Sequence, residues 1–175
     1  MKSIFMILSC LALSASSGCA SGRIHERSYL RAAAVSGADN SSVTFSFYDE
    51  GVISAQGEDI DSARSCAELK NGRAVFTGYT ELLIVDGTDC CKLLEHMLNS
   101  WKVSPSCMVV YSSDGGKLLD EYSAEQLRGI AEQAVKKGIS PECDVITVLG
   151  KLCTGQCAEV TELHSDGTAG SRIIY

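Results

Sequence analysis

Leu82-Leu83-Ile84-Val85, the segment Cys90 to Trp101, and Cys107-Met108-Val109-Val110-Tyr111 decide the fold of this chain. The first and third are short, unbroken apolar runs, the pattern of strands covered on both faces. Between them Leu93, Leu94, Met97, Leu98 and Trp101 recur at three- and four-residue spacing, the inner stripe of an amphipathic helix. Strand, helix and strand in succession predict an α/β domain.

Working outward, Arg31 to Val35 and Val43 to Tyr48 read as two strands joined by the turn-rich loop from Ser36 to Ser42. In the second strand Val43, Phe45 and Phe47 alternate with Thr44, Ser46 and Tyr48, the period of a half-buried strand. Glu58 to Leu69 has helical spacing, with Asp59 as N-cap and Gly72 as stop. Arg73 to Val85 is β-rich. On the C-terminal side Ser123 and Gln126 form a capping box, and Leu127, Ile130, Ala131 and Ala134 form a stripe that Lys136-Lys137-Gly138 closes. Ser140-Pro141-Glu142 reads as the start of a further helix running to about Cys153, with proline at its first position. Ala158 to Leu163 and Ser171 to Tyr175 are strand candidates around the turn Ser165-Asp166-Gly167-Thr168. No repeat or proline-rich linker interrupts this order, and Pro105 and Pro141 are the only prolines. The expectation is one α/β domain over 29–175, a mixed β-sheet flanked by helices.

The first residues carry a different message. Lys2 precedes an apolar run from Ile4 to Leu13, then Ser14-Ala15-Ser16-Ser17-Gly18 and Cys19. A charged start, a short apolar stretch and a small-residue exit make a secretory leader over 1–18, too short to span a bilayer as a stable helix. A cysteine straight after small residues is what bacterial lipoprotein processing requires, so Cys19 is the expected lipidation site and 19–28 a tether. Ser16 stands where an apolar residue is usual, and plain secretion with cleavage near Ala15 or after Ala20 is the alternative. Two acyl chains on Cys19 would anchor the domain stably, where one is marginal.

Loss of the leader leaves 157 residues, enough for one core. The composition, 45% apolar and 21% charged, is that of a globular protein. The formal charge of −7, more negative still without Lys2, and the lack of clustered lysine and arginine argue against nucleic acid and against electrostatic docking on anionic lipid. Seven cysteines follow Cys19: Cys66, Cys90, Cys91, Cys107, Cys143, Cys153 and Cys157. Seven cannot all pair within a monomer, and most lie among apolar residues, where cysteine serves as a small hydrophobe.

The order of motifs resembles the Ger(x)C family, the lipoprotein C subunits of spore germinant receptors. After the lipoprotein leader, Glu26-Arg27 through Gly37-Ala38-Asp39 is similar to the family's first strand and its Gly-x-Asp turn. Gly57-Glu58-Asp59-Ile60-Asp61-Ser62-Ala63 looks like its Gly-x-(Thr/Ser/Asp)-hydrophobic-x-x-Ala helix start. Gly72-Arg73-Ala74-Val75-Phe76-Thr77-Gly78-Tyr79 matches a segment where the family usually has histidine at the place of Tyr79. Leu82 to Asp86, the helix with Leu93-Leu94, and Met108 to Tyr111 followed by Gly116-Lys117-Leu118-Leu119 complete the series. The likeness covers nearly all of the chain beyond the leader and about the first half of a typical member, its N-terminal domain. The sequence departs from the pattern in having no family-length C-terminal half, in Tyr79 for histidine and in its cysteine content, so a short or diverged subunit is expected. The resemblance implies a non-enzymatic lipoprotein of the spore inner membrane, acting in germination beside polytopic A and B subunits.

Nothing in the sequence signals catalysis, and no catalytic residue, cofactor or metal is expected. His25, His96 and His164 are far apart, and His96, beside Glu95, reads as solvated. Ser112-Ser113-Asp114-Gly115-Gly116 lacks the lysine and spacing of a phosphate loop and reads as a turn. Glu58, Asp59 and Asp61 suit the positive end of a helix without further purpose. Two rival readings remain. One is an exported redox or metal-binding lipoprotein using Cys90, Cys91, Cys153 and Cys157; the other is an extracytoplasmic binding module unconnected with spores.

Overall fold

The computed structural model describes residues 26–37, 41–49 and 51–175. Cys19, the leader and most of the tether lie outside the described residues. The described chain is a mixed eight-stranded sheet with helices on both faces.

Strand β1 (Arg27–Ser36) starts inside the segment assigned to the tether, and a meander follows through β2 (Ser41–Phe47) and β3 (Val52–Gly57). Helix α1 (Ile60–Asn71) then returns the chain to β4 (Ala74–Phe76) and β5 (Leu82–Val85). Next come α2 (Cys90–Asn99), β6 (Met108–Tyr111), α3 (Gly115–Glu121), α4 (Ala124–Lys136), α5 (Val145–Cys153), β7 (Ala158–Leu163) and β8 (Ala169–Ile174). In space the strands run β3-β2-β1-β5-β6-β7-β8, with β4 beside the start of β1. Neighbours among β1, β5, β6 and β7 are parallel, while the β3-β2-β1 side and β8 are antiparallel.

The side-chain period of two divides the core cleanly. Ala33 and Val35 of β1, Leu83 and Val85 of β5 and Val109 of β6 face a layer made by α1, α2 and α5. Ala32 and Ala34, Leu82 and Ile84, and Val110 face the layer of α3 and α4. The apolar runs from Leu82 and from Cys107 are therefore covered on both sides, as read from sequence.

β2 departs from its half-buried reading. Thr44 and Ser46, on the supposed wet face, are 4% and 5% exposed. Helix α3 lies over them, and Thr44 shares a 2.9 Å hydrogen bond with Ser54 of β3. The close approach of α3 depends on glycine. A Cβ at Gly115 would sit 2.7 Å from Ile84 Cγ2 and 3.1 Å from Ala34 Cβ. Ser112 to Gly116 is thus the start of a helix pressed on the sheet, not only a turn.

The helix starts follow their caps. Asp59 accepts from Ser62 N at 2.7 Å, and Gly72 N–H closes α1 on Glu68 O and Leu69 O. Ser123 and Gln126 form the reciprocal box at α4. One start differs from expectation: residues 140–143 are not helical, and α5 begins after Asp144, which accepts from Thr147 N at 2.6 Å. The preceding backbone is used otherwise. Val109 N donates to Cys143 O and Val145 N donates to Cys107 O, filling the edge of β6 before β7 reaches it. A buried strand edge needs those partners more than the helix needs another turn.

Gly129 gives a check on this layout. It lies inside α4, where an added Cβ meets nothing within 4 Å. Gly129→Ala is expected to raise the unfolding free energy by about 0.5–1 kcal/mol through backbone entropy alone. Urea unfolding measures it, and a loss of stability would contradict the open surface assigned to this face of α4.

Candidate functional site

Three groupings bring polar chemistry together. The first is a cleft of about 410 Å³ where the C-terminal ends of β1 and β5 meet the starts of α1 and α2, lined by Val35, Asp59, Ile60, Asp86, Leu93 and His96 among others. Such a position often holds ligands in α/β sheets. Here its carboxylates have structural duties. Asp59 caps α1, Asp89 receives Lys92 Nζ at 2.6 Å at the start of α2, and Asp86 accepts from Gly37 N at 2.9 Å and Thr88 N at 3.0 Å. Hydrogen bonds from Ser62 hold the Asp59 carboxyl below its usual range, and Lys92 does the same for Asp89. These contacts account for the acidic lining without a ligand.

The second grouping joins α1 to the end of α2. Asp61 Oδ1 accepts from the Trp101 indole N–H at 2.9 Å and lies 2.9 Å from His96 Nε2. Arg64 stacks over the same indole at 5.2 Å. Burial pushes the Asp61 carboxyl upward, but the bonds from Trp101 and His96 outweigh it and leave the group below its ordinary range. His96 is therefore a partner in a tertiary contact rather than a solvated residue, and Asp61 does more than complement a helix end. Trp101 is 2% exposed, packs edge-on against Phe45 at 5.6 Å, and its carbonyl accepts from Thr77 Oγ1.

At the opposite end of the sheet, Glu81 receives Arg31 and Arg128, each at 3.1 Å. Tyr79 stacks on Tyr29 at 6.0 Å and meets Phe76 edge-on at 5.2 Å, yet stays 61% exposed.

The third grouping involves the cysteines. Cys90, Cys107 and Cys143 are buried, as packing residues should be. Burial pushes the Cys90 and Cys143 thiols up to about 11 and raises Cys107 further, so all three are inert at neutral pH. Cys91 is half-buried and packs against the core, whereas Cys66, Cys153 and Cys157 are exposed, so the hydrophobe reading does not extend to these last three. Cys91 Sγ lies 3.7 Å from Cys153 Sγ, and Cys153 Sγ lies 3.8 Å from Glu95 Oε1. Of the four thiols singled out from sequence, the fold unites two; Cys90 points into the core, and Cys157 is not in the group. Glu95 was missed. It stands one helical turn from Cys91, a signal only once Cys153 is known to face that turn.

No family model matches the chain, and searches of curated proteins and of solved structures return no match either.

Proposed function

We propose that this chain is an exported lipoprotein, held by acyl chains on Cys19, that serves as an accessory C-type subunit of a spore germinant receptor beside polytopic A and B subunits. The observation that carries the reading is the order of the Ger(x)C-like motifs along the sequence. Several of them fall where the fold has a use for their residues. Gly57 ends β3 against the first turn of α1, where a Cβ would come within 2.3 Å of Ala63 N. Asp59 caps that helix, and the segment from Gly72 to Tyr79 forms β4 and its aromatic cluster beside β1. The order of these motifs supports the reading, and the leader would supply the anchor.

The role is non-enzymatic. The carboxylates of the acidic cleft have structural partners, and the chain's acidity argues against nucleic acid or anionic lipid as a partner. No helix among the described residues is long and apolar enough to cross a membrane. Lipid at Cys19 would instead confine the domain to the extracytoplasmic face, raising its effective concentration for a weak contact with the membrane subunits. Spores of the encoding organism that lack the chain are expected to lose the nutrient response of that receptor, read as the fall in optical density on germination. An unchanged response to every nutrient tested would count against the reading.

A further inference from the structure

We propose that Cys91, Glu95 and Cys153 form a binding site for a zinc-class divalent ion that ties α2 to α5. The inference is independent of the lipid anchor and of the germination reading. The donor atoms of these residues all lie within 4.8 Å of one another. Zinc holds thiolates at about 2.3 Å in tetrahedral geometry, which places two sulfurs roughly 3.8 Å apart and a sulfur and a carboxylate oxygen roughly 3.5 Å apart. The observed separations are 3.7 Å between the sulfurs and 3.8 Å from Cys153 Sγ to Glu95 Oε1. A disulfide would need the sulfurs at about 2.05 Å, whereas the present spacing has room for an ion between them.

The elements explain the arrangement. Cys91 and Glu95 are four residues apart on α2 and share a face, the spacing by which helices present ligand pairs to metals. Cys153 ends α5, which packs against α2. A divalent ion deprotonates the thiols that bind it. Binding releases two thiol protons to solvent and needs no oxidant. Two sulfurs and one carboxylate suit zinc rather than magnesium or calcium, which take oxygen ligands. With Glu95 and Cys153 exposed, the ion enters from solvent and water completes its fourth position.

The test is a Co²⁺ titration of the full chain, reduced, in detergent and without oxygen, followed by displacement with Zn²⁺. One ion per chain is expected, with a thiolate-to-cobalt charge-transfer band and tetrahedral d–d absorption. Cys91→Ser and Cys153→Ser should each remove one thiolate contribution and weaken binding about 100-fold or more, the upper end of what even outer-shell changes cause. Glu95→Gln should keep the thiolate band with weaker binding, while Cys66→Ser and Cys157→Ser should bind as the parent does. Zn²⁺ should also raise the thermal midpoint of the parent but not of Cys153→Ser, whose metal-free unfolding serves as the folding control. Substoichiometric uptake by the reduced parent, uptake unaffected by Cys91→Ser, or equal loss in Cys157→Ser would each overturn the site.

Discussion

Trp101→Ala is expected to remove about 4 kcal/mol of stability, the range for deleting a buried aromatic side chain. Trp101 is the largest fully buried side chain, and it lies just beyond α2. Its ring fills the space against Phe45 and its N–H reaches Asp61 on α1, with Arg64 over its face. The side chain thus fixes how α1 and α2 sit on the same face of the sheet. Asp61→Ala provides the contrast. It deletes the contacts from Trp101 and His96 to an acceptor that is 61% exposed, where water can take its place, so a cost of about 1 kcal/mol is expected. Urea unfolding followed by far-ultraviolet circular dichroism measures both. Comparable losses for the two variants would show that packing around the indole is not what holds these helices together.

Cys19→Ala is expected to move the chain from the detergent phase to the aqueous phase almost completely. Two acyl chains bury enough methylene groups to make anchoring stable, whereas an exported chain with none has only its acidic surface to offer an anionic bilayer. The described residues begin at Glu26. The variant should show the parent's unfolding curve while losing the membrane. Cys10→Ala, a change within the leader, should leave partitioning unaltered. A Cys19→Ala chain that stayed with the membrane would leave the lipid assignment without support.

Much of the fold was legible because its signals are local. Short apolar runs announced β5 and β6, and the caps at Asp59 and Ser123 and the stop at Gly72 act within a few residues. What escaped depended on distant neighbours. The polar face of β2 looks wet in sequence and is dry because α3 covers it, a contact that hinges on Gly115 and Gly116 about seventy residues away. Ser140-Pro141-Glu142 has the composition of a helix start, yet the unfilled edge of β6 captured the backbone that follows. His96 looked solvated until α1 brought Asp61 to it. The thiol–carboxylate group was half legible: Cys91 and Cys153 were candidates, but 62 residues separate them, and only the packing of α5 on α2 selects them over Cys90 and Cys157 and adds Glu95.

The accessory-subunit reading is tested most directly by capturing the chain from spore inner membranes solubilised in mild detergent, through a tag after Tyr175, and identifying its companions by mass spectrometry. Polytopic A- and B-type receptor subunits are expected in amounts comparable to the chain itself. Recovery of the chain alone, with the A and B subunits still associated with each other elsewhere in the preparation, would contradict it.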